Sequence, residues 1–112
     1  MATKQDPEIS IVIPVANEAV ALPQCLQRIE RGTTEIVVVD GGSEDETRLI
    51  AEAAGCRVIS LAERHRARQM NVGAAQARGR ILLFLHADTW LPPGALELVR
   101  CAIDERGALG GG

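Results

Sequence analysis

The segment Ile81-Leu82-Leu83-Phe84-Leu85 is an unbroken apolar run that stops abruptly at His86-Ala87-Asp88. Five consecutive apolar residues read as a strand buried on both faces, the kind found inside a parallel sheet. Its interior cannot hold an ionised carboxylate. Asp88 therefore belongs just past the strand, where a parallel sheet opens to solvent and ligands collect. His86 and Asp88 are two positions apart, which in extended chain puts both side chains on one side, within reach of one metal ion. The competing reading is a strand end that is polar only because it is exposed.

The preceding chain alternates strand and helix. Ile9–Val15 is rich in β-branched residues and is closed by Pro14, which cannot donate to a ladder. A helix is predicted from Glu18 to Arg31, with Leu22, Leu26 and Ile29 on one face, Pro23 in its first turn and Gly32 as its stop. Glu35–Asp40 is the second strand, acidic at its carboxyl end, followed by the turn Gly41-Gly42-Ser43. Ser43 and Glu46 have the spacing of a capping box for a helix through Ala54, which Gly55 ends. Arg57–Ser60 is a short third strand.

The segment Glu63 to Arg78 reads as a helix with Ala67, Met70, Ala74 and Ala77 on a narrow small-residue face and Arg64, Arg68 and Asn71 on another. Gly79 then precedes the Arg80–Asp88 strand. After Pro92-Pro93 a last helix is predicted to Arg106, followed by a Gly-rich tail over 107–112.

A chain of 112 residues with 46% apolar residues and a net charge of −3 suits one compact α/β domain over residues 1–112 and does not suit a nucleic-acid binder driven by general basicity. Eleven of its 12 basic residues are arginine, a bias that suits anion contacts. Cys25, Cys56 and Cys101 form no CxxC pair, so each reads as a small buried apolar residue in a reducing cytoplasm. The segment Met1 to Glu8 has no apolar signal core, and no run approaches the roughly 20 apolar residues of a transmembrane segment.

Helical crossovers between four strands imply a Rossmann-like parallel sheet, and the predicted order is 3-2-1-4. That order brings Pro14 to Glu18, Asp40 to Ser43 and His86 to Asp88 to one crevice, suited to a nucleotide with a divalent cation. A dinucleotide cofactor is the rival, since Asp40 stands where such proteins place a ribose-binding acid. Neither G-x-G-x-x-G nor G-x-x-x-x-G-K-[ST] occurs.

Four segments in register carry a resemblance: Ile11-Val12-Ile13-Pro14 with Asn17-Glu18, Val37 to Asp45, Arg66 to Asn71, and Leu83 to Asp88. Together they resemble family 2 glycosyltransferases of the GT-A fold. The tract Arg64 to Asn71 is similar to that of the bacterial selenodomain-associated transferase 2 subgroup, with His65 in place of a glycine. The resemblance implies a UDP-type nucleotide-diphospho-sugar as partner and Mn2+ or Mg2+ as cofactor. It places Pro14, Asn17, Glu18, Asp40, Gly41, Gly42, Arg68, Asn71 and Asp88 in the nucleotide site, with Asp88 and His86 on the metal. It also implies a cytoplasmic protein, free or peripheral at the inner membrane.

In such transferases the catalytic base and acceptor pocket come from a second half, which the resemblance does not reach here. The chain is thus expected either to transfer sugar to an acceptor hydroxyl when completed by that half, or to be a non-catalytic nucleotide-binding or assembly module. A homodimer through the fourth strand, the Pro92–Arg106 helix or the tail is expected, with Leu96, Leu98 and Leu109 as contacts. His65 is read as solvated, and Trp90 as packing over the strand end.

Overall fold

The computed structural model describes residues 8–29 and 34–88, together with Gly94. Four parallel strands form its frame: β1 (Ile9–Val15), β2 (Thr34–Gly41), β3 (Arg57–Leu61) and β4 (Ile81–Phe84). Their order is β3-β2-β1-β4, as the sequence predicts. The register pairs Val15 with Asp40 and Val12 with Phe84, so β1 and β2 end together. Leu85 N–H donates to the Val12 carbonyl at 3.0 Å and carries the pairing one step past β4.

The side-chain alternation of β1 and β2 divides the core into two layers. Ile9, Ile11, Ile13 and Val15 point with Ile36 and Val38 toward α1 (Ala21–Gln27) and α2 (Thr47–Ala53), where Leu22, Cys25, Leu26 and Ala51 are buried. Val12, Val37 and Val39 face the other way, with Ile59 and Leu61, under α3 (Arg66–Gln76). Cys25 fits its reading as a buried apolar residue. Burial, then the charge of Asp88 and the neighbouring Cys56, push its thiol up to about 11.

Several local expectations are corrected. The first helix starts at Ala21, not Glu18, because the backbone of Asn17 to Ala19 is bonded to the loop after β2; Pro23 does lie in its first turn. No capping box forms at Ser43. The second helix begins later, at Thr47, and Ser43 is engaged by Asp40 and Asn17. The inner face of α3 is Gln69 and Gly73, while Ala67 is exposed and Met70, Ala74 and Ala77 are half-buried. The helix lies so close to the sheet that glycine alone fits over Val12 and Val39.

The strand β4 is not buried on both faces among the described residues. It is the edge of the sheet, with Leu82 40% and Phe84 47% exposed, and only Ile81 and Leu83 pack on the core. Gly32, Trp90, the predicted Pro92–Arg106 helix apart from Gly94, Cys101 and the tail lie outside the described residues, as do the expected dimer contacts Leu96, Leu98 and Leu109.

At the end of the sheet opposite the crevice, a polar knot fastens the α3–β4 connection. Ser10 Oγ donates to Glu35 at 2.7 Å and accepts from Gly79 N–H at 2.7 Å, and Arg78 N–H donates to Glu35 at 3.0 Å. Arg57 joins Glu35 at 3.5 Å to the Gln76 carbonyl at 2.8 Å. Burial pushes the Glu35 carboxyl up, but the Arg78 N–H, the Ser10 hydroxyl and Arg57 outweigh it and hold the carboxyl below its ordinary 4.5. A depressed carboxyl stabilises the fold fully above its unfolded pKa and loses that contribution as pH falls through the folded value. Urea midpoints are expected to fall on acidification below about pH 4.5, and less steeply in Glu35→Gln. Equal slopes in both proteins would remove Glu35 from the acid response.

Candidate functional site

The crevice is assembled from the carboxyl ends of β1 and β2, the start of α3 and the segment after β4. Its first element is a pair of loops stitched together. Asn17 N–H donates to Ser43 Oγ at 2.8 Å, and Asn17 Oδ1 accepts from Glu44 N–H at 2.8 Å. Glu18 N–H reaches Thr47 Oγ1 at 2.9 Å, and Ala19 N–H reaches Asp45 at 3.2 Å. Asn17 sits at φ 56°, a left-handed conformation that asparagine tolerates better than most residues. Asp45 also accepts from Thr47 N–H and its hydroxyl, and these bonds hold its carboxyl below the usual range.

Asp40 is 1% exposed, and its carboxylate is turned back on its own loop. One oxygen accepts from Gly42 N–H at 3.1 Å and Ser43 N–H at 2.9 Å; the other accepts from the Ser43 hydroxyl. Arg48 Nε stands 3.9 Å away. An aspartate bonding backbone two and three residues on is a turn former, so Asp40 shapes the Gly41-Gly42 backbone. Gly42 requires its glycine, at φ 84° with its vacant Cβ position 2.8 Å from the Ala62 carbonyl.

Two adjoining hollows share Pro14, Glu18 and Arg66. One, of about 260 Å³, is completed by Val15, Ala16, Arg64 and Gln69. The other, of about 150 Å³, is completed by His86, Ala87 and Asp88. Arg66 Nη1 lies 3.2 Å from His86 Nδ1. A guanidinium can only donate, so in this geometry Nδ1 accepts and the ring proton is on Nε2. His86 and Asp88 are both exposed, beside each other as their two-residue spacing predicts.

The structure thus brings Pro14, Glu18, His86 and Asp88 together. Gly41 lies behind them against Gln69, while Asn17, Asp40 and Gly42 hold the loops. Arg68 and Asn71 are exposed on α3 and line neither hollow. The basic side chains that do are Arg64 and Arg66, and sequence reasoning missed the placement of Arg66 and Gln69. Positions 66, 69 and 73 share a face at i, i+3, i+7, a signal available once Gly73 is taken as the contact point. His65 is exposed as expected, and it also caps α3, its Nδ1 accepting from Arg68 N–H at 3.2 Å.

The family model for glycosyl transferase family 2 matches residues 10–110. The chain belongs to that family. Its relatives include a PGL/p-HBAD biosynthesis glycosyltransferase of Mycobacterium tuberculosis, 43% identical over 91 residues, covering 73% of this chain and 36% of that protein. An undecaprenyl-phosphate 4-deoxy-4-formamido-L-arabinose transferase of Pseudomonas paraeruginosa is 36% identical over 98 residues, covering 76% of this chain and 29% of the relative. The chain therefore spans about a third of the length of these relatives.

Among solved structures, Staphylococcus aureus TarS 1-349 in complex with UDP superposes with a TM-score of 0.82 at 26% identity, over 88% of this chain and 32% of that one. Glucosyl-3-phosphoglycerate synthase of M. tuberculosis, solved with Mn2+, UDP and glucosyl-3-phosphoglycerate, gives 0.64 at 27% identity, over 72% of this chain and 33% of that one. The fold of this chain is thus shared with part of each of these proteins of known structure. Among the described residues no helix is long and apolar enough to cross a membrane.

Proposed function

We propose that the paired hollows bind a nucleotide-diphospho-sugar of the UDP type, in service of sugar transfer to an acceptor hydroxyl. The observation that carries this is the convergence of Glu18, Arg66, His86 and Asp88 on one crevice at the carboxyl edge of a family 2 sheet. Structural neighbours solved with UDP, with UDP-GlcNAc, and with Mn2+ and UDP support it. The similarity of Arg64–Asn71 to the selenodomain-associated transferases suggests a place in that subgroup. A homodimer through the β4 edge is part of the same reading, supported by exposed Leu82 and Phe84.

Among the described residues no three His, Cys, Asp or Glu side chains are grouped to hold a metal. The donors present fit a hard cation that keeps few protein ligands and shares the phosphates of its nucleotide. Asp88 would hold it through carboxylate oxygen. His86 could join only if Arg66 gave up Nδ1, since moving the ring proton there to free Nε2 would set two donors face to face. Bound Mn2+ or Mg2+ would supply Lewis-acid stabilisation of the diphosphate.

Pro14, Glu18 and the Gly41-Gly42 backbone would form the nucleoside wall, held in shape by Asn17 and Asp40. Arg66 takes the role expected of Arg68: its guanidinium can donate to phosphate oxygens as negative charge develops on the departing diphosphate. Arg68 and Asn71, on the exposed side of α3, stand outside this first contact. Calorimetric titration with UDP, with and without MnCl2, tests the reading. Manganese-dependent binding together with UDP release from UDP-GlcNAc on addition of acceptor supports a transferase. Binding without release supports a nucleotide-binding module, and no binding overturns both.

A further inference from the structure

We propose that Gln69 is a positioning residue that sets the shape of the crevice by locking the start of α3 to the ends of two strands, an inference that rests on the nucleotide-binding reading. Gln69 is 2% exposed, although it occupies a helix facing a hydrophobic sheet. Its two amide hydrogens are both used: Nε2 donates to the Val15 carbonyl at 3.0 Å and to the Val39 carbonyl at 2.8 Å. Its oxygen accepts from His65 N–H at 3.0 Å. One side chain therefore joins β1, β2 and the residue that caps α3.

No other residue type offers this set. Glutamate would face two carbonyls with lone pairs, methionine donates nothing, and asparagine is one methylene short. The fit has no slack, because a Cβ on Gly41 would stand 2.9 Å from Gln69 Oε1. Arg64 and Arg66 flank the His65 amide that Gln69 holds, and both line the hollow beside it. Their position relative to Glu18 and His86 thus depends on an amide buried in the floor of the crevice. Leaving that cluster half-bonded would let the helix start drift, since buried polar groups seek other partners when one is removed.

The test compares Gln69→Met with Ser10→Ala, which weakens the knot at the far end of the sheet. Gln69→Met is expected to weaken UDP binding about tenfold by calorimetry, whereas Ser10→Ala, matched for loss of melting temperature, leaves affinity within twofold. In an Arg66→Ala background the effect of Gln69→Met should shrink below about threefold, because Gln69 acts through Arg66. Unchanged affinity in Gln69→Met, or an undiminished cost in the Arg66→Ala background, overturns the proposal.

Should Gln69→Met fail to fold, Gln69→Asn keeps the amide but leaves it one methylene short of the two carbonyls and is expected to give the same tenfold loss; retained affinity there overturns the proposal. If the unmodified chain does not bind UDP, it is the nucleotide reading that fails. Amide exchange in the ligand-free chain then decides: exchange of Arg64 to Arg66 at least tenfold faster in the Gln69 variant than in Ser10→Ala supports positioning, and equal rates overturn it.

Discussion

Asp88→Ala is expected to abolish manganese-dependent UDP binding while leaving the fold intact. The side chain is exposed and lies four residues past the end of β4, so its removal opens no cavity in the core. It is also the one carboxylate in the smaller hollow that the sequence places just beyond the apolar run, in a lining it shares with Arg66 and Glu18. A cation bridging protein and diphosphate contributes several kcal/mol, so loss of its principal ligand should weaken binding by on the order of 100-fold. Calorimetry with MnCl2 reads the loss directly, with circular dichroism confirming the retained fold. Affinity equal to that of the unmodified chain would sink the assignment of Asp88.

The second large effect concerns Gly73, where α3 meets the sheet. A Cβ there would stand 2.4 Å from Val12 Cγ1 and 3.0 Å from Val39 Cγ2, both side chains in the closed interior of the sheet. Neither valine can rotate away, because Val12 and Val39 are fully buried. Gly73→Val adds three carbons to that contact. Overpacking of this kind costs about 1–3 kcal/mol when neighbours can shift and more when a helix must move, against a total stability of about 5–15 kcal/mol for a domain. Gly73→Val should therefore lose at least about 3 kcal/mol by urea denaturation, or fail to fold. Gly73→Ala should suffer less, since removing a helical glycine returns up to about 1 kcal/mol. An unchanged midpoint for the valine variant would mean that α3 does not seat on Val12.

Gly73 also shows why one layer of this molecule was hidden in its sequence while another was plain. The strands announced themselves: Ile11 to Val15 and Ile36 to Val39 are unbroken apolar runs because both faces of the sheet are covered there, Ile81 to Leu85 is another such run, and right-handed crossovers leave few orders for them. The contact of α3 uses a glycine and a glutamine, residues that carry no hydrophobic signal, so a search for apolar periodicity settled on Ala67, Met70, Ala74 and Ala77 instead.

Turns posed a different difficulty. Serine followed three residues later by glutamate can cap a helix, but a serine three residues after an aspartate can equally close a turn, and only the competing geometry decides. Here Asp40 captured Ser43 first. An apolar run likewise signals burial without saying how much, which is why β4 at the sheet edge could look like an inner strand.

The stitching of the two loops has a consequence for how the molecule comes together. The bonds between Asn17 to Ala19 and Ser43 to Thr47 join residues 26 to 29 positions apart, and none can close until β1 and β2 have paired in register. Contacts so distant in sequence form after the local helices, once the entropy of closing the intervening chain has been overcome. Several of them also lie at the solvent edge, where opening needs far less free energy than dissolving the strands. These loop bonds therefore wait on the pairing of β1 and β2 and open more easily than the strands they join, so a population of molecules can lose its binding surface while β1 and β2 stay paired.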